Sequence, residues 1–195
     1  MDPELIQEPG FIAGPALRRA GAPVLFLDRD GVINVNLGYV HSADRTEWVP
    51  GLPALLEQAR VKGFDIIIAT NQAGIARGYY TIETFAAYTE WVHARLAEAN
   101  CQVVGTYFCP HHPTAGIGEF RRECSCRKPA PGMFLAAAQR FGISMAEATL
   151  VGDKASDMAA GSAAHVGRLV LVGEEPEGKV LPVVLRCRNP AEVQL

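Results

Sequence analysis

Positive charge is not in surplus here: 18 Lys and Arg stand against 21 Asp and Glu, a formal net charge of −3. Non-specific nucleic-acid binding therefore lacks its electrostatic footprint. No stretch approaches the ~20 consecutive apolar residues that a membrane-spanning helix needs. A secretion signal is missing as well, because Asp2, Glu4 and Glu8 precede a short apolar stretch, Phe11 to Leu17, broken by Gly14 and Pro15. Internal repeats and low-complexity tracts are absent. Cysteines number five, an odd count that suits metal ligation or free thiols in the cytoplasm better than a disulfide framework. The expectation is a cytoplasmic monomer with neither nucleic-acid nor membrane partners.

What is there reads as one globular α/β domain: 195 residues, 49% hydrophobic and 20% charged. Residues 1–22 hold three Gly and three Pro without a clean period and read as an N-terminal extension to a single domain over 23–195. Val24 to Leu27 is a continuous apolar run, as in a strand buried on both faces of a parallel sheet. Leu52 to Lys62 has a helical apolar stripe (Leu52, Leu55, Leu56, Ala59) and stops at Gly63. Phe64 to Ala69 reads as a second strand, and a long helix runs from a cap at Thr81 or Thr84 to near Ala99. Val103 to Phe108 is a third strand, and Pro131 to Phe141 a helix closing at Gly142. Thr149 to Val151, Ala155 to Ala164 and Leu169 to Val172 add strand, helix and strand, with Val183 to Leu185 a candidate edge strand. Alternation of this kind predicts a doubly wound, Rossmann-like parallel sheet of about five strands that binds ligands at its carboxyl edge.

The chemistry-bearing residues fall at those strand ends. Asp28-Arg29-Asp30-Gly31 follows the first strand directly. Two carboxylates one residue apart suit a divalent cation with a phosphate, and a carboxylate can itself attack phosphorus. By itself the tetrapeptide reads slightly better as an Asp-Gly turn that ends a strand. Thr70-Asn71 ends the second strand, where a hydroxyl can meet phosphoryl oxygens, although both residues are also ordinary helix caps. Arg127 and Lys128 follow the third strand and would alone read as a solvated basic pair. Gly152-Asp153-Lys154-Ala155-Ser156-Asp157 follows the fourth, where an acidic first helical turn is the plain alternative. Nucleophile, hydroxyl, cation and metal carboxylate at four separate strand ends make the joint plain reading improbable. Phosphoryl transfer needs this set, because its catalysis is mostly positioning and charge stabilisation.

A second group lies around the loop from Pro110 to Glu123. Cys109-Pro110-His111-His112-Pro113 and Cys124-Ser125-Cys126 present Cys and His donors of the kind that close a tetrahedral Zn²⁺ site. The expected ligands are Cys109, His111, Cys124 and Cys126, with His112 as the alternative to its neighbour. A structural zinc would tie down a loop rich in Pro and Gly and fix Arg127 and Lys128 behind it. Cys101 and Cys187 have no such company and read as ordinary thiols.

Together these motifs resemble the haloacid dehalogenase superfamily of aspartate-nucleophile phosphotransferases, from about Val24 to Val172. The resemblance implies Asp28 as nucleophile, Asp30 as general acid and then base, and Thr70 with Lys128 holding the transferring phosphoryl group. It implies Mg²⁺ on Asp28, Asp153 and the backbone carbonyl of Asp30, with Asp157 supporting them. Within that superfamily the runs Phe26 to Asn34, Thr70 to Gly78, Cys109 to Pro113, Cys126 to Pro129, Pro131 to Met133 and Val151 to Met158 are similar to the bacterial D-glycero-D-manno-heptose-1,7-bisphosphate 7-phosphatase family. That likeness implies a phosphorylated-sugar substrate and a product used for nucleotide-activated heptose, in lipopolysaccharide or surface glycans. Asn36, Leu37, Gly38, Tyr39, Thr70, Asn71, Gln72, Ala73, Arg127, Lys128 and Lys154 would line the substrate pocket. The chain departs from the pattern in its N-terminal extension and at Val32, where many members carry Thr. No insertion is large enough for a cap domain, so the site is expected to be open. Histidinol-phosphate phosphatases share the acidic motifs and zinc loop, and a non-enzymatic zinc-dependent module is the rival from another class.

Overall fold

A computed structural model describes residues 9–174, 182 and 185–195. Its strands are β1 (Gly10–Ala13), β2 (Val24–Leu27), β3 (Asp65–Asn71), β4 (Gln102–Cys109), β5 (Thr149–Gly152), β6 (Arg168–Val172) and β7 (Leu185–Cys187). They form one sheet in the order β1-β4-β3-β2-β5-β6-β7. Every pairing is parallel except that of β1 with β4. The helices are α1 (Leu52–Val61), α2 (Ala73–Ala76), α3 (Ile82–Glu98), α4 (Gly132–Phe141) and α5 (Ala155–Ala163). The doubly wound α/β architecture expected from the alternation is the one observed.

Alternation along β2 explains the two layers. Phe26 faces a core with Ile67, Phe134, Ala137, Met158 and Leu171, under α4 and α5. Leu25 and Leu27 face the opposite core with Leu55, Ile66, Ile68, Tyr88 and Val92, under α1 and α3. Successive strand residues point to opposite faces, so a strand covered on both sides must be apolar throughout. Local chemistry sets the helix ends: the Thr81 hydroxyl accepts a hydrogen bond from the Thr84 amide, and Gly142 closes α4 in the left-handed region at φ 60°.

The sheet has seven strands rather than about five. The first addition lies inside the expected N-terminal extension, where Gly10–Ala13 pairs with Phe108 to Gly105 at the sheet edge. Four residues are too short for any period to register. Arg18 and Arg19 then anchor the segment on buried Asp65, each 2.7 Å from one of its carboxylate oxygens. The second addition is β7, parallel to β6; of the candidate strand Val183 to Leu185, the first two residues lie outside the described residues. The carboxyl ends of β2, β3, β4 and β5 lie side by side, which brings residues distant in sequence to one rim.

Candidate active site

Asp28 leaves β2 at this rim, its amide still donating to the Val151 carbonyl of β5 at 3.0 Å. The side chain is buried and accepts from the Lys128 ammonium at 2.8 Å. Lys128 also donates to the Ala69 carbonyl at 2.7 Å and sits 2.6 Å from Asp157 Oδ1. Burial alone would raise Asp28, but Lys128 and then Lys154 outweigh it and hold the carboxyl below its ordinary value. An ionised, desolvated carboxylate at the end of a central strand is the state in which a nucleophile works.

Lys154 contributes the second cation. Its ammonium lies 3.1 Å from Asp153 Oδ1, 3.2 Å from the Asp30 carbonyl and 3.9 Å from Asp28 Oδ2. Burial, and then the neighbouring Asp28 charge, push Asp153 up to about 7. Asp157 is raised too, first by burial, while its Oδ2 accepts from the Lys154 amide at 2.9 Å and locks the start of α5. One oxygen from each of Asp28, Asp153 and Asp157 lies within 4.8 Å of the others. An ionised Asp28 beside Asp153 and Asp157, both raised first by burial, with an ammonium and a carbonyl gathered among them, forms a hard oxygen donor set that fits Mg²⁺. Gly31 makes the approach possible. At φ +104° it turns the chain, and a Cβ there would stand 2.1 Å from Asp153 Oδ2.

Asp30 points the other way. Its carboxylate accepts from Arg29 at 2.8 and 2.9 Å, from Asn34 at 3.0 Å and from Gln72 at 3.2 Å. Gln72 also donates to the Thr70 hydroxyl at 2.8 Å and accepts from Tyr80 at 2.6 Å. Arg29 is buried over the rings of Phe85 and Tyr88, at 5.5 and 5.2 Å. Arg29 and Asn34 thus hold the second aspartate directly, and Tyr80 does so through Gln72, roles that the sequence alone did not indicate. A buried Arg directly between two acids is the signal that could have indicated one of them.

The Asn71 side chain is engaged by backbone: its amide donates to the Lys128 carbonyl and its carbonyl accepts from the Lys128 amide, both at 3.0 Å. That pair locks the β3 end to the segment carrying the lysine. Asp30, Asn36, Gly38, Tyr39, Asn71, Gln72, Ala73, Tyr80 and Lys154 line a cavity of about 330 Å³. Leu37 is exposed and is not among the lining residues. Arg127 lies off the cavity wall and donates to the His111 carbonyl at 3.1 Å.

Four donor atoms of Cys109, His111, Cys124 and Cys126 lie within 4.8 Å of one another. The sulfur of Cys124 is 3.5 Å from those of Cys109 and Cys126, and the His111 Nδ1 is 3.8 and 3.6 Å from Cys109 and Cys126. The Cys126 thiol helps hold Cys109 down to about 6, and Cys126 itself is driven up. Soft donors clustered this tightly are compatible with Zn²⁺. His112 faces elsewhere, its Nδ1 accepting from the amides of Thr114 and Ala115 at 3.3 and 3.0 Å. Cys101 points to the Leu56 carbonyl, and Cys187 lies on β7.

Residues 5–165 match the family model of the haloacid dehalogenase-like hydrolases. A relative from Escherichia coli O6:H1 (strain CFT073), named D-glycero-beta-D-manno-heptose-1,7-bisphosphate 7-phosphatase, is 48% identical over 170 residues, covering 87% of each chain. A relative of the same name from Vibrio cholerae serotype O1 is 45% identical over 150 residues, covering 77% of this chain and 81% of its own. Among solved structures, the D,D-heptose 1,7-bisphosphate phosphatase of B. bronchiseptica, complexed with magnesium and phosphate, is 30% identical with a TM-score of 0.70. The match covers 87% of this chain and 94% of that one.

Proposed function

The chain belongs to the haloacid dehalogenase-like hydrolases, and from that premise we propose that it is a phosphatase removing the 7-phosphate of D-glycero-β-D-manno-heptose 1,7-bisphosphate. The observation that carries the chemistry is the convergence of Asp28, Lys128, Asp153 and Asp157 on one point at the carboxyl rim. The printed names of relatives close to half identical, over most of both chains, support the substrate. A setting in the cytoplasm accords with cysteines that are all free, and the product serves nucleotide-activated heptose for lipopolysaccharide or surface glycans.

Each residue has a task that follows from its placement. An oxygen of Asp28 attacks phosphorus, and the P–O bond to C7 of the sugar breaks. Asp30 gives its proton to the departing alkoxide, then takes one from the water that attacks the aspartyl-phosphate. The attack returns Asp28 and releases inorganic phosphate. Thr70 and Lys128 hold equatorial oxygens of the phosphoryl group, and Asn71 fixes the lysine through its backbone. Mg²⁺, held by Asp28, Asp153 and the Asp30 carbonyl with Asp157 behind them, supplies the positive charge that lets an anionic carboxylate meet an anionic phosphate. Zn²⁺ on Cys109, His111, Cys124 and Cys126 is structural, since all four positions are filled by protein.

Steady-state kinetics over heptose 1,7-bisphosphate, heptose 7-phosphate and histidinol phosphate, with and without Mg²⁺, test this reading. The bisphosphate is expected to give the highest kcat/KM, with the anomeric phosphate retained in the product. Asp28→Asn is expected to abolish turnover while circular dichroism and thermal unfolding stay those of the parent. Faster turnover of histidinol phosphate, or appreciable activity in the variant, refutes the substrate or the nucleophile respectively.

A further inference from the structure

Tyr80 lies between α2 and α3, and its ring is buried in one cluster with Ile75, Ile82 and Phe85. The ring also stacks on the His41 imidazole, with centres 4.5 Å apart and planes 24° from parallel. Its phenol end reaches the cavity that Asp30 and Lys154 share, where the hydroxyl donates to Gln72 Oε1 at 2.6 Å. Gly74 of α2 makes room for that approach: a Cβ there would overlap the end of the ring and stand 2.5 Å from the hydroxyl oxygen. Burial pushes the phenol up to about 12, so it stays protonated and donates at any working pH.

Gln72 is itself buried, and both ends of its side-chain amide are in use. Its Nε2 donates to the Thr70 hydroxyl at 2.8 Å and to Asp30 Oδ2 at 3.2 Å. Its Oε1 takes the Tyr80 proton, with Arg29 Nη2 more distant at 3.5 Å. The sense of this amide has chemical consequences. Turned round, its oxygen would face the Asp30 carboxylate, acceptor against acceptor, and its NH₂ would face the Arg29 guanidinium. As placed, one N–H fills an acceptor position on the Thr70 hydroxyl, which keeps the hydroxyl's own proton for a phosphoryl oxygen. The other N–H steadies one oxygen of Asp30.

We propose that Tyr80 is a positioning residue for phosphoryl transfer: it aims the Gln72 amide, which in turn sets the Thr70 hydroxyl and the Asp30 carboxylate together. The inference rests on the roles given above to Thr70 and Asp30 and deepens them. Tyr80 acts through Gln72 and on the chemical step, not as a wall that grips the sugar.

The test is a double-mutant cycle on kcat and KM, using the phosphorylated sugar that the parent cleaves best. Tyr80→Phe removes one oxygen and keeps the ring on His41. It is expected to lower kcat about 3- to 10-fold, the worth of one net hydrogen bond, with KM close to the parent's. In a Gln72→Met background the same change should cost nothing further, because the relay is already broken. Thermal unfolding of all four proteins verifies that each is folded. An equal loss in both backgrounds would make Tyr80 a packing residue that acts by itself. A rise in KM alone would make it a wall of the pocket, and a parental kcat in Tyr80→Phe would leave the relay without effect; each of these rejects the inference. If the preferred sugar is not the heptose bisphosphate, the substrate reading fails while the cycle still decides Tyr80. A parent that cleaves no phosphate monoester overturns both.

Discussion

The Lys128 ammonium stands between two buried carboxylates, 2.8 Å from Asp28 and 2.6 Å from Asp157. The first belongs to the end of β2 and the second to α5, so a single charge joins elements more than a hundred residues apart. Lys128 helps keep Asp28 ionised against burial, and both acids in turn raise Lys128. Lys128→Met therefore removes the counter-charge from two desolvated acids at once. Turnover is expected to fall at least about 10²- to 10³-fold, the effect of losing one charge-stabilising donor. Loss of one partner in a buried ionic group costs about 3–5 kcal/mol. The deficit should be larger at pH 8 than at pH 5, because the orphaned carboxylates can take up protons at the lower pH. Urea denaturation of parent and variant at the two pH values checks this, and an equal deficit at both would refute it.

Gly31 is the turn that allows Asp153 to approach the nucleophile strand. Its φ of +104° and the 2.1 Å between a built Cβ and Asp153 Oδ2 both forbid a side chain. Gly31→Ala should displace Asp153 and relax the backbone, costing about 1–3 kcal/mol of stability. The sharper expectation concerns the cation: Mg²⁺ affinity by calorimetry should drop, and kcat/KM should drop with it. A variant that binds Mg²⁺ as the parent does would show that Asp153 is not a ligand.

The four-donor group brackets residues 110–123 from both ends. Cys126 precedes Arg127 and Lys128 directly, so loosening the loop moves both cations. Chelation, or Cys124→Ser, is expected to lower kcat/KM about 10- to 100-fold, as for small misplacements of binding groups. Hydrogen exchange should rise over 110–123 before it rises in β2 or β3. Zinc content and exchange measured on the same samples check the order of events; kinetics unchanged after complete zinc loss would refute the coupling.

How much was legible follows from the physics of each element. Val24 to Leu27 is apolar without interruption because both of its faces are covered, so its place in the sheet centre and the exit of Asp28 could be read directly. The end of β3 was harder: Thr70 and Asn71 look like caps, and only the backbone pairing of Asn71 with Lys128 across 57 residues reveals another use. β1 was invisible because four residues carry no period and its partner lies nearly a hundred positions away. Separating His111 from His112 required the loop's own turn, in which His112 accepts amides. Arg29, Tyr80 and Gln72 act through a three-dimensional hydrogen-bond chain that no spacing encodes.

His93 offers a pH test remote from the site. It is buried on α3, with Nε2 2.7 Å from the Thr106 hydroxyl of β4, and burial lowers it from 6.5 to about 4 despite the Ala13 carbonyl of β1. The folded protein therefore keeps this ring neutral where the unfolded chain protonates it. Its contribution is complete above pH 6.5 and is lost progressively as pH falls toward 4, with an upper bound of about 3 kcal/mol. The first structure to loosen should be the edge where α3, β1 and β4 meet. His93→Gln retains a polar tip for Thr106 and removes the titration. The variant's stability should therefore change less between pH 7 and pH 5 than the parent's in urea melts. Parallel pH profiles for the two proteins would show that His93 does not carry this dependence.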